Sequence, residues 1–97
     1  MTVLSDAEIE QRLAGAGRWR RGEGEAADAI VCELQLADFA AAIALVDRVA
    51  ELAEAANHHP DILVHGWNKV RLTLSTHSQG GLTDADFALA AQIDGVV

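Results

Sequence analysis

The sequence predicts an α+β fold: a four-stranded antiparallel sheet with helices packed on one face, its elements in the order α-β-β-α-β-β-α. Three observations carry that prediction. Residues 29–36 and 69–77 alternate apolar and polar side chains with the period of two that marks a half-buried strand. The stretch opened by Asp38 instead repeats its apolar residues at spacings of three and four, as an amphipathic helix does. A chain of 97 residues has room for one core, so residues 1–97 are expected to form a single domain.

The elements follow in chain order. Ser5-Asp6-Ala7-Glu8 reads as a capping box opening a short first helix. Leu4, Ile9 and Leu13 give that helix a thin apolar stripe, and Gly15 and Gly17 end it. A short strand over Arg18–Arg21 with Trp19 inward is expected next, followed by a turn over Gly22–Glu25. In the strand over 29–36, Ile30, Cys32, Leu34 and Leu36 share one face, and Val31, Glu33 and Gln35 the other. Asp38 is placed to cap a long helix running to about Ala56. That helix carries two apolar stripes, Phe39-Ile43-Val46-Ala50-Ala53 and Ala42-Leu45-Val49-Leu52-Ala56. The surplus could serve a helix–helix contact between subunits, or small alanines could simply tolerate exposure.

Pro60 cannot continue the helix and biases His59 towards extended geometry. A strand over Ile62–Val64 is followed by a bend at His65-Gly66. In the strand from Lys69 to His77, Val70, Leu72, Leu74 and Thr76 face one way, and Lys69, Arg71, Thr73, Ser75 and His77 the other. Gly80-Gly81 turns the chain, and Thr83-Asp84-Ala85-Asp86 caps a last helix with Phe87, Ala90, Ala91 and Asp94 along it.

Composition narrows the function classes. Asp and Glu number 15 against 7 Lys and Arg, for a formal net charge of −8. Direct binding to nucleic acid or to an anionic membrane needs basic patches, so neither is expected. The one basic cluster, Arg18-Arg20-Arg21, is followed at once by Glu23 and Glu25 and reads as a solvated strand edge. Cys32 is the sole cysteine, which leaves no disulfide framework and points to a core position. No apolar run approaches the length of a membrane span, and no secretory signal pattern opens the chain. A cytoplasmic location is the expectation.

Chemistry is expected where elements end. His58 and His59 follow the long helix, and His77 closes a strand. Histidine exchanges protons near neutral pH without metal or cofactor. A helix C-terminus favours the imidazolium, and Glu54, one turn before His58, would act in the same direction. Taken singly, His58 or His59 reads first as a helix cap, donating to the last carbonyls. No HxH or HExxH spacing occurs, so metal ligation is not expected. Trp67 suits a core or hairpin aromatic, or a flat ring packed on a heterocycle. Asp86 sits where a capping-box carboxylate belongs.

Jointly, Glu54-Ala-Ala-Asn57-His58-His59-Pro60, Trp67-Asn68-Lys69-Val70, Thr73-Leu-Ser75-Thr76-His77, Gly81-Leu82-Thr83 and Asp86 resemble the pterin carbinolamine dehydratase signature. Trp19, the strand over 29–36 and the Asp38-Phe39 helix start extend the resemblance over nearly the whole chain. The resemblance implies a cofactor-free hydro-lyase that dehydrates 4a-hydroxytetrahydropterin to quinonoid dihydropterin, recycling a tetrahydrobiopterin-type cofactor. His58, His59 and His77 would be its catalytic histidines, with His58 and His77 moving protons and His59 holding the pterin. Asn57, Ser75, Thr76 and Ser78 would contact substrate, with Glu54, Pro60, Trp67 and Asp86 in support. It also implies a homodimer or homotetramer joined through sheet edges and the long helix. A non-catalytic alternative follows from the same resemblance, since members also act as dimerisation cofactors of a transcription factor or as assembly chaperones. His65-Gly66 makes the segment between His-His-Pro and the aromatic one residue longer than is common, a departure expected to bear on the cleft wall and on pterin specificity.

Overall fold

The computed structural model of the chain describes residues 2–97. Its elements are α1 (Asp6–Ala14), β1 (Trp19–Arg21), β2 (Ile30–Gln35), α2 (Phe39–Ala56), β3 (Asp61–His65), β4 (Lys69–Leu74) and α3 (Asp84–Asp94). Single 3₁₀ turns lie at Gly24–Ala26, between β1 and β2, and at His77–Gln79, between β4 and α3. The sheet order is β1-β2-β4-β3 with every neighbour antiparallel, so β4 lies between β2 and β3. Helix α2 carries the chain from β2 over β4 to the far edge.

Register explains the core. Ile30 pairs with Leu74, Cys32 with Leu72 and Leu34 with Val70, which places all six side chains on one face. Five of them are fully buried; Leu34 is partly so. Onto that face α2 presents Ala42, Leu45, Val49 and Ala53, spaced by three and four residues. Ile9 of α1, Leu89, Ala90 and Ile93 of α3, and Trp19 of β1 complete one core. Each large aliphatic side chain removed from water there contributes about 1.5–3 kcal/mol. The helix starts are fixed locally: Ser5 and Glu8 exchange the two bonds of a capping box, and Asp38 Oδ1 accepts from Ala41 N–H at 2.7 Å.

Four details depart from the alternation argument. Val31 faces away from the helices yet is buried, because Arg20 and Thr73 flank it on both sides in the middle of the sheet. Of the Phe39-Ile43-Val46-Ala50-Ala53 stripe of α2, Phe39, Ile43 and Ala50 stay exposed while Val46 packs on the core and Ala53 is buried; Ala42, Leu45 and Val49 of the other stripe are covered. In α3 the buried residues are Asp86, Leu89, Ala90 and Ile93, so the stripe is rotated from the Phe87-Ala90-Ala91-Asp94 reading. Asp94 instead accepts from Trp19 Nε1 at 3.0 Å and ties the end of α3 to β1. Finally, β4 ends at Leu74, not at His77, because the main chain before Ile30 is bonded elsewhere: Ala29 N–H donates to the Ala26 carbonyl and the Ala29 carbonyl accepts from Gly22 N–H.

The open face of the sheet is polar. Glu33 accepts from Arg20 at 2.8 Å and from Arg71 at 2.9 and 3.0 Å, which spans three adjacent strands. Those two guanidinium groups hold the Glu33 carboxyl below its usual range. The additional residue at His65-Gly66 is absorbed at the tip of the β3–β4 hairpin, where Gly66 and Trp67 take φ of 55° and 60°.

Candidate active site

Three chain segments build the site, and each is bent by a recognisable local cause. Helix α2 stops because Asn57 adopts the left-handed conformation (φ 49°, ψ 42°), one of the few side chains that enters it readily. His58 N–H then bonds back to the Ala53 carbonyl at 3.1 Å, and the chain reverses direction. The reversal sends the His58 imidazole inward, its side chain only 15% exposed, with Nε2 2.6 Å from Asp86 Oδ1. His59 turns outward, and its Nε2 lies 2.6 Å from Glu54 Oε2 at an exposed position. Glu54 therefore partners His59, not His58 as helical spacing alone suggested. The cause is the left-handed turn at Asn57, which breaks the helical spacing. Pro60 follows and β3 begins at Asp61.

The second segment runs from Ser75 to Gln79. Past the end of β4, Ser75 Oγ donates to the Asp28 carbonyl at 2.8 Å, and Thr76 forms an isolated bridge with Gly81. His77 opens the 3₁₀ turn and is exposed, rather than closing a strand.

The third segment is the N-terminus of α3. Asp86 is fully buried, and every polar contact it makes is accounted for. Oδ2 accepts from the Thr83 N–H at 2.9 Å and from the Thr76 hydroxyl at 2.8 Å, while Oδ1 meets His58. The Thr76 and Thr83 hydroxyls lie 2.8 Å apart, and Thr83 Oγ1 accepts from Ala85 N–H at 3.3 Å. A buried carboxylate needs such donors, because without them its desolvation would cost several kcal/mol.

Two concavities flank these segments. One, of about 350 Å³, is lined by Thr73, Ser75 and His77 together with the acidic Glu25, Asp28 and Asp61. The other, of about 200 Å³, is lined by Asn57, His58, Thr76, Ser78 and Gln79. Ser75 and His77 border the first and Thr76 and Ser78 the second, while Asp61 borders the first and His58 the second; His59 and Pro60 line neither. His58 and His77 open onto different concavities across this shared wall. Trp67, 62% exposed, stands at the hairpin tip. The pairing from Asp61↔Thr73 to His65↔Lys69 already spans four residues, roughly 13 Å at the rise of a strand, and Trp67 lies in the turn beyond it, away from the cleft. The lengthened hairpin lies at that same remote end, so it does not form the wall beside the histidines.

Sequence reasoning did not single out Thr83 as more than a cap, nor Asp28 and Asp61 as cleft residues. For Asp61 a signal existed, since it follows His-His-Pro directly; for Asp28 only the strand register reveals it. Among the described residues, no group of three or more His, Cys, Asp or Glu side chains is arranged to hold a metal ion. What the arrangement offers chemically is an imidazole paired with a buried carboxylate, a second imidazole nearby in sequence to two hydroxyls, and an acidic cleft wall.

The sequence model described as "Pterin 4 alpha carbinolamine dehydratase" matches residues 2–96. A protein of Roseiflexus castenholzii provisionally named pterin-4-alpha-carbinolamine dehydratase is 54% identical over 95 residues, covering 98% of this chain and 97% of its own. A relative from Chloroflexus aurantiacus with the same provisional name is 53% identical over 97 residues, covering 100% of this chain and 99% of its own. Among solved structures, a transcriptional coactivator/pterin dehydratase from Brucella melitensis superposes with a TM-score of 0.90 at 28% identity, covering 98% of each chain. A pterin dehydratase-like protein identified as a RuBisCO assembly factor in the alpha-carboxysome matches with a TM-score of 0.64 at 26% identity, over 80% of this chain and 87% of its own. Agreement in sequence over the full length and in fold leads to one conclusion: this chain belongs to the pterin 4 alpha carbinolamine dehydratase family.

Proposed function

We propose that the chain is a hydro-lyase that dehydrates 4a-hydroxytetrahydropterin to quinonoid dihydropterin, and so returns a tetrahydrobiopterin-type cofactor to use. The observation that carries this reading is the His58–Asp86 pair beside the Ser75–Ser78 segment, in a chain matched by the family over residues 2–96. The reaction breaks the C4a–O bond and forms a C4a=N5 double bond. One proton must reach the departing hydroxyl, which leaves as water, and one must leave N5, so the atoms balance without a redox partner. His58 and His77 carry those protons, the pterin lying across the Ser75–Ser78 segment that borders both of their concavities. His59 holds the pterin together with Asn57, Ser75, Ser78 and the main chain at Thr76, whose hydroxyl is engaged by Asp86 and Thr83, and Glu54 in turn holds His59. Pro60 stiffens the approach to β3. No cofactor takes part, and the enzyme works in the cytoplasm as a homodimer or homotetramer of one-domain subunits.

General acid–base groups contribute about 10²- to 10⁴-fold. Dehydration of enzymatically generated 4a-hydroxytetrahydropterin should fall by at least that lower factor in His58→Ala and in His77→Ala. Wild-type rates in both variants would overturn the reading.

A second reading rests on the solved relatives, one described as a transcriptional coactivator and another as a RuBisCO assembly factor. On that reading the chain is a non-catalytic protein-binding module. A stoichiometric protein partner recovered by pull-down, together with absent turnover, would favour it over the enzyme.

A further inference from the structure

The polar cluster around Asp86 has a defined direction of donation. Thr76 gives its single hydroxyl hydrogen to Asp86 Oδ2. The 2.8 Å contact between the two threonine hydroxyls must then be donated by Thr83, whose oxygen is meanwhile the acceptor for Ala85 N–H. Donation therefore runs Thr83 to Thr76 to Asp86, and the Thr83 N–H closes on the same oxygen. Oδ2 is committed to two donors on fixed backbone, so the carboxylate cannot rotate, and Oδ1 is the oxygen that faces His58. An ionised carboxylate can only accept, so at Oδ1 it would accept from Nε2–H. That leaves Nδ1. Among the described residues no hydrogen bond engages it, yet no buried side-chain nitrogen or oxygen lacks a partner. Nδ1 consequently reaches solvent, and His58 is among the residues that line the concavity with Thr76 and Ser78.

We infer that Thr76 and Thr83 are positioning residues that lock His58 in the tautomer carrying its hydrogen on Nε2, so that neutral His58 meets the substrate as a proton acceptor through Nδ1. This deepens the dehydratase reading, on which its catalytic half rests: it makes His58 the group that takes the N5 proton and leaves His77 to protonate the hydroxyl.

The same geometry dictates what an amide would do at position 86. In Asp86→Asn the two donors to Oδ2 require the amide oxygen there, so the NH₂ group must face His58. Nε2 becomes the acceptor and the hydrogen moves to Nδ1. The test is ¹⁵N NMR of histidine-labelled protein, at a pH where His58 is neutral, read alongside turnover. Wild type should show Nε2 protonated, and Asp86→Asn should show the inverse pattern. Its kcat should fall at least 10²-fold while KM changes little, the signature of a lost transition-state role. Thr76→Val should lower kcat about tenfold, the scale of one hydrogen bond, and Thr76→Ser should restore it. These threonine variants keep the test open if Asp86→Asn folds poorly. Wild-type His58 protonated on Nδ1, or an unchanged tautomer in folded Asp86→Asn, would overturn the inference. The NMR pattern does not depend on activity. Correct tautomers without turnover in wild type would therefore support the lock and remove only the dehydratase reading.

Discussion

Asp86 and Cys32 are both fully buried, and their surroundings give them opposite uses. Asp86 is encircled by donors from Thr76, Thr83 and His58, whereas Cys32 sits among apolar side chains between β1 and β4. Burial, reinforced by the charge of Asp94, pushes the Cys32 thiol up to about 11 from an ordinary 9.0. The folded thiol therefore keeps its proton where an unfolded one sheds it. Cys32 contributes stability that is fully present below pH 9.0 and lost as pH rises towards about 11. Since the thiolate is the reactive form, native protein at pH 8 should resist iodoacetamide and label completely in denaturant. Rapid native labelling would show that the core opens at β2. The burial of Cys32 was legible from alternation with Ile30 and Leu34. The double duty of Asp86 was not. A capping-box position explains one carboxylate oxygen and is silent about where the other points, which depends on a histidine 28 residues away in the chain.

At the level of elements, the direction in which a helix ends decides which histidine enters the site. Helix α2 was readable from cap to last turn, because Asp38, the three-and-four spacing and Pro60 are all local signals. The path after it was not, because it depends on one residue entering the left-handed region. Asn57 at φ 49° is what aims His58 at Asp86 and His59 at Glu54. Asn57→Gly should leave stability within a few tenths of a kcal/mol, since glycine adopts this conformation freely. Asn57→Val should cost about 1–2 kcal/mol in urea unfolding, because a β-branched residue is strained there. The ¹⁵N signals of both His58 and His59 should move in the valine variant only. Equal stability of the two variants would mean that the turn is not held by its backbone angle. The end of β4 carries a related lesson. Alternation ran unbroken from Lys69 to His77, yet a strand lasts only as long as its neighbour, and β2 begins opposite Leu74.

For the whole molecule, what remains uncovered matters as much as what is buried. One core consumes the Ala42-Leu45-Val49-Ala53 face of α2 and leaves Phe39 56% and Ile43 37% exposed, one helical turn apart. The outer edge of β3 is also unpaired within the chain, with Leu63 47% exposed. The sequence left open whether the surplus stripe of α2 serves association or exposure, because small alanines satisfy both; its exposed residues include two large ones, Phe39 and Ile43. A homo-oligomer joined through this stripe would bury them, and its stability would rise with protein concentration by mass action. The expected result is a wild-type melting temperature that increases with concentration and a sedimentation mass above that of a 10.3 kDa monomer. Phe39→Glu with Ile43→Glu should bring the mass down towards the monomer and flatten the concentration dependence. The carboxylates would be buried unpaired in the assembly but solvated in the free chain. An unchanged mass in that double variant would exclude the stripe and leave the β3 edge as the surface to test. Neither residue lines the concavities around His58 and His77, so dissociation that also abolished turnover would mean the neighbouring subunit completes the catalytic unit.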